Sequence, residues 1–440
     1  MITNKINCLF EFGNANVYND LGGSPELLTD LCQWFQKQKQ NIFSIDIALY
    51  LFNNEYLFSI LKDLADHGCR VHIYSIPLEG YDNTSPLEIT NHISNVPIGR
   101  YTKLDLAKKI YETIKDLKHP NLTLHIVPHM YIRSKYVKPF SRGDMPYSLH
   151  CKTFMIQFHN GNFYGGLTSS NFAVRDAQKI ELACIMPLGK NEIASSTDFY
   201  YGLRENSIPI SDFDPNADYT HYTIKLRNVP ENSQTTYIAP FYDHSAVQFE
   251  NKLIQLIRQA KHRIIIAAQH ISSYQYTYLG KYSSHDSTDS LVMKEGFLSY
   301  VLQKVREGVP AVFLSQTYAD QTDRPYIRKP QNTKSFIQFA ETAKKTEHCH
   351  YYVNRNLHAK YLLIDNTAIV TTCNFTPTQF IYLSNVKISS FEHIPNLTYS
   401  GIFCEHGAYF TSQNPETIKR LEHYTDKIIS LRSTEKIFGK

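Results

Sequence analysis

Two short segments of the sequence each place a histidine and a lysine one residue apart at the start of an apolar run. SLHCKTFMIQ contains His150 and Lys152, and NLHAKYLLID contains His358 and Lys360. Residues i and i+2 of a β-strand point to the same face, so each imidazole projects beside its ammonium group. Each pair therefore combines a base or nucleophile with a fixed positive charge.

A hydroxyl-rich segment that ends in asparagine follows each pair along the chain. The first, TSSN, contains Ser169 and Asn171, and the second, TTCN, contains Thr372 and Asn374. The Asn-Gly dipeptide at 160–161 predicts a tight hairpin that returns the first segment to its His-Lys pair. Hydroxyl and amide donors beside a cation and an imidazole are the groups that a phosphate oxyanion needs. We therefore predict two half-sites around one phosphodiester, with Ser169 and Thr372 in contact with the substrate.

The elements that must position these groups occur twice in the same order. The first half predicts alternating helices and strands over residues 24–38, 43–50, 53–68 and 70–75, and the second half does so over residues 245–260, 262–269, 290–308 and 309–315. An internal duplication explains this order. We predict a first lobe over residues 1–205, with a basic-aromatic insertion at about 128–147, a linker over 206–235 and a second lobe over 236–440.

The motifs resemble those of the phospholipase D superfamily, in which His-x-Lys is followed by four residues and Asp, and then by a Gly-Ser or Thr-rich segment ending in Asn. The second copy matches through Asp365, apart from a threonine in place of the glycine, whereas the first copy has Gln157 in place of the aspartate. The likeness extends from about residue 15 to residue 430. It implies an α/β fold of two similar lobes, each a mixed, largely parallel β-sheet flanked by helices, with the active site at the lobe interface.

The resemblance also implies a mechanism that needs no metal or cofactor. His150 attacks phosphorus to give a phosphohistidine, His358 protonates the leaving oxygen, and the lysines and asparagines stabilise the equatorial oxygens. An acidic residue some ten positions after the asparagine often holds a histidine, and Glu181 suits this role in the first half. The predicted catalytic set is His150, Lys152, Asn171, His358, Lys360, Asn374, Asp365 and Glu181.

The acidic positions of the two motif copies differ from one another. Asp365 lies at a turn, on the opposite strand face from Lys360, so we interpret it as a turn residue. The first hairpin is longer, which places Gln157 inside its strand and makes the missing aspartate a structural difference. At the spacing of Glu181, the second half offers only Ser384 and Asn385.

A basic and aromatic segment runs directly into the first motif. MYIRSKYVKPFSRGDMPY alternates cations with tyrosines and a phenylalanine, and a shorter analogue, DRPYIRKP, precedes the second motif. Cations for a phosphate backbone and rings for unstacked bases are typical of a single-strand channel. The alternative is a solvated loop with a few anchoring aromatics. The candidate substrate contacts are Arg133, Lys135, Lys138, Tyr131, Tyr136, Arg324 and Arg328.

Bulk composition narrows the class of protein. The 440 residues are 42% hydrophobic and 20% charged, with a net charge of +4, as in an ordinary globular protein. The N-terminal sequence has no signal-peptide pattern, and no apolar run is long enough for a membrane span. The eight cysteines form no Cys-x-x-Cys pair. We therefore expect reduced thiols and a cytoplasmic location.

Three functions remain open from the sequence. A nuclease acting on DNA or RNA fits the basic, tyrosine-rich segments best. A phospholipase D or phosphatidyltransferase is the alternative, because a charged interfacial surface on anionic lipid has a similar composition. A nucleic-acid-binding scaffold with a degenerate site is the third, supported by Gln157. Because one chain carries both motifs, a monomer could hold the complete site.

Overall fold

The structure is a computed structural model of the chain. It describes residues 16–21, 26–50, 52–76, 97–127, 149–172, 179–214, 224–230, 233–271, 276–279, 292–316, 341–375, 379–380, 383–391 and 394–439. The basic-aromatic segment before the first motif and its shorter analogue before the second lie outside these ranges. Their predicted substrate contacts therefore remain predictions.

The first lobe is an eight-stranded sheet with helices on both faces. Its strands are β1 (Asn16–Leu21), β2 (Ile42–Ala48), β3 (Arg70–Ser75), β4 (Leu122–Ile126), β5 (Thr153–Phe158), β6 (Phe163–Thr168), β7 (Ile180–Pro187) and β8 (Ile208–Pro209), in the order β1-β7-β6-β5-β2-β3-β4-β8. Its helices are α1 (Glu26–Lys37), α2 (Glu55–Asp66), α3 (Pro97–Leu117) and α4 (Lys190–Glu205). Because β8 pairs with β4, the first sheet extends into the predicted linker.

The second lobe repeats this plan and adds two hairpins. Its elements are β9 (Thr235–Ile238), α5 (Ser245–Gln259), β10 (Ile264–Ala268), β11 (Tyr276–Leu279), β12 (Val292–Glu295), α6 (Phe297–Arg306), β13 (Ala311–Ser315), β14 (Cys349–Asn354), β15 (Tyr361–Ile364), β16 (Thr367–Thr371), β17 (Leu383–Phe391), β18 (Ile394–Phe403), β19 (Gly407–Ser412), α7 (Pro415–Ser430) and β20 (Thr434–Phe438). The sheet order is β20-β14-β13-β10-β15-β16-β19-β9. The pairs β11-β12 and β17-β18 form separate two-stranded sheets.

Local sequence signals explain where several helices begin and end. The Asn54 side chain accepts a hydrogen bond from the Leu57 N–H and caps α2, which stops before Gly68 at φ +91°. Gly308, at φ +95°, ends α6 in the same way. The prediction of a helix over residues 290–308 was partly wrong, because strand β12 occupies the first part of that range. Gly296 has an extended backbone there, so the helix begins only at the following residue.

The two-lobed α/β prediction is confirmed, with one correction. In the first sheet only the β2-β3 and β3-β4 pairings are parallel, and in the second only β10-β13 and β13-β14. The other pairings of these two sheets are antiparallel, so "largely parallel" was wrong. The physical reason is that the motif-bearing strands return directly as the hairpins β5-β6 and β15-β16, and a two-strand hairpin is antiparallel.

Three hydrophobic cores give the molecule its layers. One packs α1, α2 and α3 against the outer face of the first sheet, and another packs α5 and α6 against the second. The core between them contains residues of both sheets with α4 and α7, including Tyr74, Leu182, Leu314 and Leu363. The two lobes therefore share one buried apolar layer, which includes the apolar neighbours of both His-Lys pairs, Leu149, Cys151, Leu357 and Ala359. Among the described residues, no helix has the length and apolarity to cross a membrane.

Candidate active site

The two lysines enter the site from equivalent positions. Lys152 immediately precedes β5 and Lys360 immediately precedes β15, and both side chains are fully buried. Each Nζ donates a hydrogen bond to the carbonyl oxygen of the histidine two residues earlier, at 3.3 Å for Lys152 and 2.6 Å for Lys360. The apolar strands behind them form core, as the sequence predicted, so the backbone around each ammonium group is rigidly held.

The lobes join through the backbone beside the second histidine. The Ile180 N–H donates to the Asn356 carbonyl at 2.7 Å. The Ile180 carbonyl accepts from the His358 N–H at 2.9 Å and from the Ala359 N–H at 2.7 Å. A strand of the first lobe is therefore hydrogen-bonded to the motif of the second, which brings the two motifs to one interface.

Glu181 holds the histidine of the opposite lobe. Its Oε1 lies 2.7 Å from Nδ1 of His358, and both side chains are buried. The sequence predicted that Glu181 holds a histidine without specifying which one. The structure pairs it with His358 because Glu181 follows Ile180, whose backbone is hydrogen-bonded to the His358 segment. The Tyr424 hydroxyl of α7 donates to the Glu181 carbonyl at 2.7 Å and fixes the same joint from the second lobe.

The two hydroxyl residues predicted to touch substrate are engaged within the fold. Ser169 Oγ donates to Glu181 Oε2 at 2.5 Å and accepts from the Leu182 N–H at 2.9 Å. Thr372 Oγ1 accepts from the Ala408 N–H at 3.1 Å. Both residues are buried. Their assignment as substrate-binding residues stays a prediction; in the structure each hydroxyl ties its segment to the neighbouring strand, and Ser169 also positions the carboxylate of Glu181.

Glu405 supplies the matching carboxylate for the first histidine, and the sequence analysis missed it. Glu405 Oε1 lies 3.5 Å from Nδ1 of His150. An acid from the other lobe thus faces each histidine, but only Glu181 is hydrogen-bonded to its partner, since Nδ1 of His150 has no hydrogen-bond partner among the described residues. The expected spacing failed because the β17-β18 hairpin is inserted between Asn374 and Glu405. The signal in the sequence was an acidic residue just after this insertion, two residues before strand β19.

The two carboxylates do not occupy equivalent positions. Ser169 exchanges backbone and side-chain hydrogen bonds with Leu182, and Thr372 does the same with Ala408. Leu182 and Ala408 are therefore equivalent, and so are the residues that precede them, Glu181 and Gly407. A Cβ atom at Gly407 would lie against the Sγ of Cys373. No side chain fits at Gly407 without a rearrangement. The carboxylate of the second lobe is supplied instead by Glu405, two residues earlier in the chain.

Burial and neighbouring charges set the protonation of the centre. Burial, followed by the charges of Lys152 and Lys360, holds the pKa of His150 well below 6.5, with further contributions from His358 and His270. Burial lowers the pKa of Lys152 to about 8, against the opposing effect of nearby acidic groups that include Glu405 and Glu181. At neutral pH these shifts give a neutral His150 beside a protonated Lys152.

The pKa of Glu181 is shifted in the opposite direction. Burial raises it to about 7, opposed by the charge of Lys360, the hydrogen bond from Ser169 and the charge of Lys152. Near neutral pH Glu181 is therefore only partly ionised, in a buried hydrogen-bonded pair with His358. Such a pair can retain a proton on the imidazole until a leaving group takes it.

The asparagines follow the returning strands as predicted. Asn171 lies just beyond β6 and is partly buried. Asn374 Oδ1 accepts from the His270 N–H at 3.2 Å, and the Phe375 N–H donates to the His270 carbonyl at 3.0 Å. This bond fixes the amide of Asn374 by its oxygen and leaves the NH₂ group as the end that can donate to a phosphate oxygen.

Asp365 and Gln157 have the structural roles inferred from the sequence. Asp365 has φ +47°, and its carboxylate accepts from the backbone N–H groups of residues 261, 262 and 263 at 2.8 to 3.0 Å. Burial opposes its ionisation, but these three bonds outweigh burial and lower its pKa. Gln157 lies within β5, where its Oε1 is 3.5 Å from the Ser44 hydroxyl. Asp365 therefore stabilises a turn and is not a reacting group. The first motif has glutamine at the matching position because Gln157 lies inside a strand, where no turn has to be stabilised.

Two further side chains near the first histidine were missed by the sequence analysis. The Tyr50 ring lies edge-on to the His150 ring, with 5.4 Å between centroids and an interplanar angle of 72°. His270 is partly exposed and close enough for its charge to lower the pKa of His150. Tyr50 and His270 follow the parallel strands β2 and β10. The carboxyl ends of parallel strands are where such sheets bind ligands, and that position was the available signal.

Comparisons with known proteins identify the fold. No protein-family model matches the sequence, and no curated protein is significantly similar to it. The solved structure of a phosphatidylserine synthase from Haemophilus influenzae aligns with a TM-score of 0.54 and 11% identity, over 96% of this chain and 87% of that chain. This chain has a phospholipase D-like fold.

Two other structures align with lower TM-scores. A polyphosphate kinase from Porphyromonas gingivalis gives a TM-score of 0.48 at 7% identity, over 95% of this chain and 51% of that chain. This phospholipase D-like chain thus spans about half the length of that kinase. A yeast tyrosyl-DNA phosphodiesterase gives a TM-score of 0.41 at 11% identity, over 92% of each chain. The fold assignment depends on the synthase alone.

Two other kinds of chemistry could be read into the sequence, a metal site and a cysteine nucleophile. The described residues contain no group of three or more His, Cys, Asp or Glu side chains arranged to hold a metal ion. His348 and His350 flank Cys349 at a spacing that could suggest a metal site. His348 directly precedes β14, and Cys349 and His350 are its first two residues, so the alternation follows the pleat of a strand. Cys151 and Cys373 are buried, and burial raises the pKa of both thiols. A raised thiol pKa is opposite to what a cysteine nucleophile needs.

Proposed function

We propose that the protein is a metal-independent phosphodiesterase that cleaves nucleic acid through a phosphohistidine intermediate. The crossed carboxylate-histidine pairs carry this proposal. Glu181 of the first lobe holds His358, and Glu405 of the second lobe approaches His150. Because both carboxylates contact Nδ1, each histidine keeps Nε2 for a substrate between the lobes.

The protonation of the centre supports different roles for the two histidines. His150 is neutral at physiological pH, as a nucleophile must be, and its Nε2 attacks phosphorus. In this mechanism His358 carries a proton on each ring nitrogen: the Nδ1 proton faces Glu181, and the Nε2 proton is donated to the leaving oxygen. An attacking water molecule then gives one of its own protons to Nε2 of His358 as its oxygen bonds to phosphorus and the bond from phosphorus to His150 breaks.

The lysines and asparagines stabilise charge on the transferred phosphoryl group. Lys152 and Lys360 supply two positive charges inside a buried centre, where electrostatic interactions are stronger than in water. The NH₂ group of Asn374 donates to an equatorial oxygen, and Asn171 is assigned the same role by its matching position. Gln157 does not weaken this arrangement, because the aspartate it replaces serves a turn.

Nucleic acid is the preferred substrate because of the segments beside the motifs. Arg133, Lys135 and Lys138 alternate with Tyr131 and Tyr136 just before the first motif, which suits a phosphate backbone with unstacked bases. Phospholipid is the second candidate, favoured by the structural likeness to a phosphatidylserine synthase. A basic surface would also attract anionic lipid head groups.

A substrate panel in chelator tests the proposed function. Purified protein is incubated in excess EDTA with end-labelled single-stranded DNA, duplex DNA, RNA and phosphatidylcholine vesicles. We expect cleavage of at least one nucleic acid, lost in the His150→Ala and His358→Ala variants. Hydrolysis of phosphatidylcholine without any cleavage of nucleic acid would transfer the assignment to phospholipid. Cleavage that requires added magnesium or manganese would refute the mechanism.

Two sets of substitutions separate charge from stacking in the basic-aromatic segment. Replacing Arg133, Lys135 and Lys138 with alanine should weaken nucleic-acid binding and flatten its salt dependence, because fewer counterions are released. Replacing Tyr131 and Tyr136 should cost about 1 to 3 kcal/mol per lost stack with the salt slope unchanged. A small chromogenic phosphodiester serves as the control, since it does not reach this segment. Unaltered nucleic-acid binding with loss of binding to anionic vesicles would favour phospholipid.

A further inference from the structure

The two half-sites differ at one aromatic position. Ala48 of β2 pairs with the residue after Lys152, and Ala267 of β10 pairs with the residue after Lys360. These alanines are therefore equivalent, and two residues beyond them lie Tyr50 and Gln269. The Gln269 side chain donates to the Gln316 side chain at 3.0 Å. Only the first half-site thus has an aromatic ring at this position.

The Tyr50 ring contacts both reactive groups of the first motif. It lies edge-on to His150, at 5.4 Å between ring centroids, and its centroid is 5.8 Å from the Nζ of Lys152. That distance is within the range of a cation–π interaction. The ring is half-buried and packs against the core shared by the lobes. One aromatic side chain therefore touches the imidazole and the cation together.

The first half-site has looser polar contacts than the second. Glu405 lies 3.5 Å from His150, whereas Glu181 lies 2.7 Å from His358. The hydrogen bond from Lys152 to its carbonyl is also longer, at 3.3 Å against 2.6 Å for Lys360. In this half an aromatic ring lies beside both groups, where it can orient His150 and favour the charged form of Lys152.

We propose that Tyr50 is a positioning residue that aligns His150 for attack and keeps Lys152 protonated during the reaction. The inference extends the proposed phosphodiesterase function to a residue outside the His-x-Lys and asparagine motifs. It requires no contact between Tyr50 and the substrate. The titratable or charged groups that act on Lys152 are Cys151, Cys373, Glu405 and Glu181. Those that face His150, besides Lys152, are Glu405, Lys360, His358 and His270.

A titration that needs no turnover tests the effect on Lys152. The full chain is labelled with ¹³Cε-lysine, the Lys152 signal is assigned with Lys152→Arg, and its shift is followed against pH. Tyr50→Leu and Tyr50→Met should lower the pKa of Lys152 by about 0.4 to 1.5, the range of a cation–π interaction. Tyr50→Phe should leave it unchanged, because the ring remains. Gln269→Leu, at the equivalent position, is the matched control.

Kinetics test the consequence for catalysis. In Tyr50→Leu and Tyr50→Met, the fall of kcat/KM for a small chromogenic phosphodiester should move to lower pH by the same amount, and Tyr50→Phe should restore the wild-type profile. Equal Lys152 titrations in the wild type and both aliphatic variants would overturn the proposal, as would a Tyr50→Phe variant that behaves like Tyr50→Leu. An inactive wild type with the expected titration shifts would refute the phosphodiesterase function and leave the Tyr50–Lys152 interaction in place.

Discussion

Neutralising the two crossed carboxylates should have unequal effects on catalysis. Glu181→Gln removes the charge of a buried group at 2.7 Å from His358 Nδ1 and 2.5 Å from Ser169 Oγ. Hydrogen bonds to charged groups contribute about 1.5 to 3 kcal/mol, so kcat should fall by roughly 10- to 150-fold. Glu405→Gln acts on a contact of 3.5 Å that does not form a hydrogen bond. Its effect should remain below about 1.4 kcal/mol, or tenfold.

The two variants are compared on a small chromogenic phosphodiester, with thermal melting as a check on folding. Single-turnover experiments then separate formation of the phosphohistidine from its hydrolysis. In the proposed mechanism His358 acts first as acid and then as base, so Glu181→Gln should slow both steps. Glu405→Gln should slow mainly the first. An equal or larger loss in Glu405→Gln would show that the distances do not rank the two interactions, and the roles assigned to the histidines would have to be exchanged.

Three further results are expected. Activity should persist in excess EDTA, since Lys152 and Lys360 supply the positive charge; complete loss in chelator with recovery on metal addition would contradict this. Gln157→Asp should change kcat by less than about tenfold, under 1.4 kcal/mol on the barrier, whereas His150→Ala and His358→Ala should abolish turnover; an aspartate variant that activates a silent protein would indicate a degenerate first site. In a pH profile, kcat/KM should fall as pH rises through about 8. Burial lowers the pKa of Lys152 from 10.5 to about 8, so the charged form predominates below that pH and is lost above it; a rate unchanged to pH 10 would refute the need for this charge.

Much of the fold followed from local signals in the sequence. The helix stops at Gly68 and Gly308, the turn at residues 160–161 and the apolar runs after each lysine predicted the repeated order and the two motif hairpins. These signals act over a few residues, so the sequence displays them directly. The proportion of parallel strands did not follow, because pairing depends on which distant strands meet in the sheet.

The partners of the two histidines could not be predicted from the sequence, because they depend on contacts between residues that are distant along the chain. Spacing identified Glu181 as an acid near a histidine, but the choice of His358 is made by backbone bonds across the interface. Glu405 was hidden by the inserted β17-β18 hairpin, and Tyr50 by its distance from either motif along the chain. Spacing within one half carries no information about the surface of the other half, so these three assignments needed the folded structure.

The crossing of the carboxylates has a consequence for protein synthesis. Translation proceeds from the N-terminus, so the first lobe can fold while the second is still being made. At that stage the nascent chain contains His150 and Lys152 but lacks both His358 and the carboxylate of Glu405. Glu181, likewise, has no histidine to hold. A ribosome-bound chain therefore has no competent centre until translation has passed residue 405, and hydrolytic activity should appear only when the second lobe docks onto the first.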